Sequence, residues 1–373
     1  MNSVELLQTL VRIPSVNPDG DPDSPHSGEL EMATYLRDLL QSWGFAIHLE
    51  EVLPNRPNLI ARAPGPDTRP RLLLGPHLDT VGVTGMSIDP FAAEIRDDKV
   101  WGRGTSDTKG PMAAMLMGLY QNRERLHQLP VAIDFVGFMG EESHQPGSIH
   151  FARHHAEEYD FALVGEPTSL QLVHTTKGSL WATLESHGQA AHASQPQLGE
   201  NAIIKLTEAL HQLDGEFRAL LASFTHPILE ATTLNIGTIS GGTRPNIVPD
   251  FARAQIDIRF TPSLHEAGGA RALLQEFLAS NELPLSISSC KEAPPMEVPA
   301  DHFWMKKIQD THPGSKAVGA PWFSDAAHLN VAGLDAICIG PGSIDQAHTA
   351  DEFISINALE DGVDWFTKFI AEL

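Results

Sequence analysis

Val131-Ala-Ile-Asp-Phe-Val-Gly-Phe-Met-Gly-Glu-Glu142 runs from a nearly continuous apolar segment straight into two adjacent carboxylates. An apolar run of this length suits a strand covered on both faces, as in a parallel sheet flanked by helices. The same arrangement recurs twice. Leu72–Leu74 precedes His77-Leu78-Asp79, and Phe161–Gly165 precedes Glu166. Asp107 lies in the glycine-rich stretch Gly102–Gly110. Open α/β sheets gather their chemistry outside the carboxyl ends of their strands, so these residues are expected to converge on one crevice. Carboxylates crowded together resist ionisation unless positive charge sits among them. A metal ion is the simplest source of that charge.

With 373 residues the chain is long enough for two domains and an ample core. Its 42% hydrophobic and 20% charged content is that of a globular protein. No stretch approaches the roughly 20 continuous apolar residues of a membrane helix. Met1–Val11 reads as a short amphipathic helix without the basic flank and cleavage site of a signal peptide, so the cytoplasm is expected. The two cysteines, Cys290 and Cys338, supply neither a disulfide framework nor a thiolate zinc site. Any metal must therefore be held by histidine and carboxylate. A net charge of -23 argues against a nucleic-acid partner.

Residues 1–176 alternate helix and strand: a helix near Ser27–Gly44, strands near Ala46–Glu51, Asn58–Ala63 and Leu72–Leu74, then an apolar helix opened by Pro111. After Lys177-Gly178 the pattern changes. Ser179–Ser186 alternates, a long helix covers Asn201–Ser223, and Thr233–Ile239 and Arg253–Phe260 alternate again. Within the last of these, Ala254, Ile256, Ile258 and Phe260 share one face. A helix over His265–Ser280 and a strand over Leu285–Cys290 complete a βαββαβ order, the signature of a ferredoxin-like module with one open sheet face. From about Glu292 the first pattern resumes, with a helix over 301–311, a strand over Asp335–Ile339 and a terminal helix over Ile356–Leu373. The expected fold class is α/β: a catalytic domain with a mixed, mostly parallel sheet (1–176 and 292–373) interrupted by an α+β module (177–291).

His77, Asp107, Glu142, Glu166 and the late His348 form a donor set of oxygen and nitrogen that suits zinc, manganese or cobalt. Two divalent ions against the three carboxylates leave one positive charge, which a single hydroxide balances. Such a pair of ions polarises a carbonyl and activates water near neutral pH. Asp79, two residues beyond His77, is placed to accept the second ring N–H and fix the tautomer. Glu141, beside a ligand without needing to be one, is the natural general base. Phosphate-loop chemistry is set aside: Gly104–Lys109 lacks the glycine before lysine that a Walker loop needs, and Gly340-Pro-Gly342 lacks dinucleotide spacing.

Gly75-Pro-His77-Leu-Asp79-Thr80, Gly102-Arg-Gly-Thr-Ser-Asp107-Thr-Lys-Gly110, Gly140-Glu-Glu142 and Gly165-Glu166-Pro-Thr168 resemble the dinuclear zinc aminoacylase and carboxypeptidase (M20-type) family. The resemblance spans nearly the whole chain. Gly165–Gln171, Thr233–Gly237 and Gly340–His348 running on to Asp351-Glu352-Phe353 are most similar to its acetylornithine deacetylase branch. The resemblance implies a zinc-peptidase-like catalytic domain with a lid and dimerisation module inserted. It implies two zinc ions, one held by His77 and Glu166 and the other by Glu142 and His348, with Asp107 bridging and a cis bond after it. It further implies that His192 reaches the partner subunit's site to stabilise an oxyanion, although a plain surface histidine would read the same. Asn246 and Arg259 fit positions that hold a substrate carboxylate; for Arg259 the alternative is an ordinary charge pair with Asp257. Gly342 either ends a strand or turns main-chain N–H groups to substrate, and Asp325 is a candidate partner for a cationic side chain.

The expected activity is removal of a short acyl group from an amino acid, N-acetyl-L-ornithine first, by a cytoplasmic homodimer in arginine biosynthesis. Succinyl-diaminopimelate desuccinylation, acetylcitrulline deacetylation and broad aminoacylase or dipeptidase action use the same metals. A non-catalytic metal-binding dimer is the reading from outside enzymology, and it has no need of Glu141 or His192.

Overall fold

The strands Arg71–Pro76, Ala132–Gly137 and Phe161–Gly165 are buried at every residue, as apolar runs without alternation require. They lie side by side and parallel, with Arg71–Pro76 in the middle. The computed structural model describes all residues except 1, 23, 25 and 67. It divides into two units: Met1–His174 with Val298–Val318 and Ser324–Leu373, and Thr175–Glu297 with Gly319–Phe323. The second unit therefore reaches six residues further than the 291 read from pattern and takes in a short return segment.

In the first unit the central sheet is mixed. Outside the three core strands, Arg56–Arg62 and Ala46–Leu53 add antiparallel on one side. On the other side Ala336–Cys338 adds parallel to Phe161–Gly165, and Leu172–Thr176 follows antiparallel. The helix Lys109–Asn122 is buried along almost its whole length and packs against the terminal helix Ile356–Ala371. A small antiparallel sheet of Glu94–Arg96, Lys99–Trp101 and Phe353–Ser355, which the sequence pattern did not announce, joins the end of the chain to the glycine-rich loop.

The second unit carries a fully antiparallel sheet in the order Thr233–Gly241, Phe251–Phe260, Gly178–His187, Ser286–Ala293. In sequence order its strands lie 2-3-1-4, the ferredoxin-like arrangement. Ala252, Ala254, Ile256, Ile258 and Phe260 point into a core completed by helix Ala202–Gln212 and its continuation through Phe217 and Leu221. The single helix expected over His265–Ser280 is in fact two, Pro262–Glu266 and Ala270–Ser280. Gly268 and Gly269 between them adopt φ of +111° and +90°, which breaks the helix where side-chain-bearing residues would be strained.

Candidate metal centre

Because the three core strands are parallel, the segments that follow them emerge on one side. His77 continues the middle strand and bridges to Phe138, with Leu78 N–H donating to the Phe138 carbonyl at 2.7 Å. That pairing sets the imidazole beside the turn that carries Glu141 and Glu142. The turn itself needs Gly140, whose φ is +77° and where a Cβ would stand 2.9 Å from the Pro146 ring. Gln145 closes it, donating from its main chain to Gly140 and from its amide to the Glu141 carbonyl.

The carboxylate of Asp107 stands between two histidines. His77 Nε2 lies 2.9 Å from Oδ1, and His348 Nε2 lies 3.4 Å from Oδ2 and 3.1 Å from Glu142 Oε2. Donor atoms of His77, Asp107 and Glu166 gather within 4.8 Å of one another, as do those of Asp107, Glu142 and His348, and those of His77, Glu141 and Glu142. The peptide bond after Asp107 is cis. His77, Asp107, Glu141 and Glu166 are buried, while His348 is the exposed member.

The electrostatics of the cluster follow from its burial and crowding. Burial pushes Glu141 well above the ordinary carboxyl range; His77 opposes the shift and the nearby Asp325, Glu166 and Glu142 charges reinforce it. Burial likewise raises Glu166, with Asp107 adding to it, and brings Glu142 to about 7. For His77, burial works against protonation, but the Asp107 and Asp79 carboxylates prevail and hold it well above its usual value. Hydrogen bonds to Asp107 and Glu142 raise His348 to about 10. Cations placed among these groups would oppose every one of these upward shifts. Glu142 Oε1 is buried with no partner among the described residues. A set of oxygen and imidazole donors with unmet negative charge fits divalent metal ions.

Asp79 differs from expectation. The ring Nδ1 of His77 sits 2.9 Å from the Asp79 main-chain carbonyl and 3.6 Å from its carboxylate. The carboxylate instead accepts from Glu141 N–H at 3.0 Å, Glu142 N–H at 3.1 Å and the Asn17 amide at 2.7 Å. Asp79 therefore fixes the His77 tautomer with its backbone and the glutamate turn with its side chain. Asn17, fully buried, escaped the sequence reading because an asparagine before a proline reads only as a turn residue.

One substrate-side expectation is corrected. Asp325 is fully buried, with Oδ1 accepting from Ser148, so it is not placed to meet a substrate side chain. Burial foremost raises its carboxyl to about 7. The Arg259 guanidinium is engaged by Asp257, Nε to Oδ1 at 3.0 Å, which is the charge-pair alternative. Gly342, at φ +88°, lines a cavity of about 310 Å³ with Ser106, Leu170 and Phe353. In the second unit His192 and Asn246 lie on neighbouring strands of backbone: His192 bridges Ile247, and Ala193 N–H donates to the Asn246 carbonyl. Both are exposed. His192 Nδ1 lies 2.7 Å from the Ser194 hydroxyl and 3.2 Å from the Ser194 main-chain N–H, so Ser194 orients the ring.

The defining pattern of peptidase family M20/M25/M40 matches residues 73–372. An acetylornithine deacetylase of Proteus mirabilis (strain HI4320) is 32% identical over 368 residues, 96% of this chain and 93% of that one. In fold the chain is similar to a tripeptidase from Staphylococcus aureus, with a TM-score of 0.79 at 22% identity, covering 99% of this chain and 97% of the other. The M20 family metallo-carboxypeptidase Sso-CP2 from Sulfolobus solfataricus gives a TM-score of 0.78 at 19% identity, with 99% and 98% covered. With its defining pattern met over most of its length and a buried cluster of metal-type donors at the strand ends, the chain belongs to peptidase family M20/M25/M40 and is a hydrolase acting on amide bonds.

Proposed function

We propose that the protein hydrolyses N-acetyl-L-ornithine to acetate and L-ornithine, as a cytoplasmic homodimer in arginine biosynthesis. The observation that carries this reading is the near full-length similarity to an acetylornithine deacetylase. His77 and Glu166 would hold one divalent ion and Glu142 and His348 the other, with Asp107 shared between them. Zinc is the proposed metal, with cobalt or manganese as substitutes. Ions bound there would supply Lewis-acid polarisation of the acyl carbonyl and a more acidic water.

The chain's own residues supply the proton path. Glu141 is buried beside these donors, with its affinity for a proton raised by burial. It is suited to take the proton of the attacking water and return it to the departing α-amine. The Asp79 carboxylate holds the main chain of Glu141 and Glu142 so that both side chains keep their places. His192, its ring oriented by Ser194, is the proposed donor to the developing oxyanion across the homodimer made through the second unit. Asn246 is the proposed contact for the substrate carboxylate, and main-chain groups at Gly342 a second.

A matched panel of N-acetylornithine, N-acetylcitrulline, N-succinyl-diaminopimelate, N-acetylmethionine and a dipeptide tests the substrate, using zinc-loaded protein. A kcat/KM for acetylornithine at least 10-fold above every other member is expected; preference for another member discards it. Glu141→Gln is expected to lower kcat by roughly 10²–10⁴-fold with metal content unchanged. Unchanged activity at full metal content would remove Glu141 from the mechanism.

A further inference from the structure

Glu352 is fully buried four residues beyond His348 and outside the donor cluster. The small antiparallel sheet explains its position. Phe353 pairs with Trp101, so Glu352 falls opposite Gly102 and its carbonyl accepts the Gly102 N–H at 3.0 Å. From there its carboxylate extends along the loop that leads to Asp107. Oε2 accepts from Gly104 N–H at 2.9 Å and from the Arg103 guanidinium at 2.8 Å. Oε1 accepts from Ser106 N–H at 2.8 Å and from Asp107 N–H at 3.0 Å. Residues 102–107 belong to no helix or strand, so their N–H groups have no ladder to join. One side chain and its own carbonyl satisfy the N–H groups of residues 102, 104, 106 and 107.

We propose that Glu352 is the positioning residue of the metal centre: its carboxylate is the template on which the Gly102–Asp107 loop folds, and it sets where Asp107 stands relative to His348. Three residues separate it from His348, and Ala350 is anchored through its carbonyl to Ser87 N–H at 2.9 Å. Glu352 thus ties together two of the three side chains in the Asp107, Glu142, His348 group. Every partner of the carboxylate is a donor. A glutamine would turn an NH₂ toward at least one N–H, and the loop would have to move. This inference rests on the proposed reading that the group holds a metal ion, and it extends that reading to how the site is kept in register.

The test is titration of metal-free wild type, Glu352→Gln and Glu352→Asp with Co²⁺, following stoichiometry, affinity and the visible absorption of the bound ion, with urea unfolding alongside. The expected result is a loss of about 10–100-fold in affinity for at least one ion in Glu352→Gln, with an altered cobalt spectrum. Glu352→Asp, which keeps the charge on a shorter stem, should fall between that variant and wild type. Wild-type affinity and spectrum in Glu352→Gln, even with lowered stability, would show the residue to be structural only and overturn the proposal. If Glu352→Gln does not fold, Glu352→Asp decides alone: weakened cobalt binding supports the proposal and unaltered binding overturns it. A wild type that loads two ions yet hydrolyses no acyl amino acid would sink the proposed function and leave this inference standing. A wild type that takes no ion overturns both.

Discussion

Asp79 acts through the main chain on both of its sides. Its carbonyl meets His77, and its carboxylate gathers the N–H groups of Glu141 and Glu142. Replacing Asp79 by Asn puts an amide NH₂ against donors, so the turn should loosen. Metal affinity is expected to fall by about 10–100-fold in Asp79→Asn, measured by competition with a chelator. Asn17 completes the same carboxylate from a loop some sixty residues away in sequence. Removing its amide in Asn17→Ala leaves a buried carboxylate oxygen with one donor fewer, a cost of roughly 1–3 kcal/mol in urea unfolding. A change under a few tenths would show that water takes over the role.

Among the elements, the parallel trio Ala132–Gly137, Arg71–Pro76 and Phe161–Gly165 does most to assemble the site, because parallel strands deliver their following residues to one side. The second unit offers a cleaner test of element boundaries. Helix Ala270–Ser280 begins after Gly269, where Glu292 caps it by accepting from Ala270 N–H at 3.2 Å and Arg271 N–H at 2.9 Å. A Cβ on Gly269 would stand 2.6 Å from Glu292 Oε1, at a φ of +90°. Gly269→Ala is therefore expected to destabilise the protein by about 1 kcal/mol or more. Glu292→Ala should cost about 1 kcal/mol through the lost cap, read by the same unfolding experiment. Periodicity carried one helix through this stretch because both flanks share a heliotypic apolar pattern, and only the paired glycines hinted at the break.

For the whole molecule, stability, pH and metal are linked. Glu142 and Asp325 have carboxyls raised to about 7, and Glu141 and Glu166 are raised as well. Without metal, the stability tied to these protons is fully present below the ordinary carboxyl pKa and is lost as pH rises through each raised value, about 7 for Glu142 and Asp325. His348, raised to about 10, adds a loss of the same sign between its ordinary value and about 10. The melting temperature of metal-free protein should therefore fall from pH 5 to 9, and added Zn²⁺ should restore it most at the upper end, because metal displaces these protons. A metal-free melting temperature that is flat or rising over that range would contradict this account. Proton release on binding, measured calorimetrically in two buffers of different ionisation enthalpy, checks the same linkage. The fold class, and His77, Glu142 and Glu166 as candidate donors, were legible in sequence because apolar runs leading into such residues are local patterns, while Asp107 and His348 stood on the glycine-rich stretch and the family resemblance. The tertiary structure alone decided which atom of Asp79 meets His77, that Asp325 is sealed away, that Arg259 is held by Asp257, and that Asn17 and Glu352 brace the centre. Those outcomes depend on hydrogen bonds between segments far apart in the chain, whose partners a one-dimensional pattern does not specify, whereas strand burial and side-chain chemistry are written residue by residue.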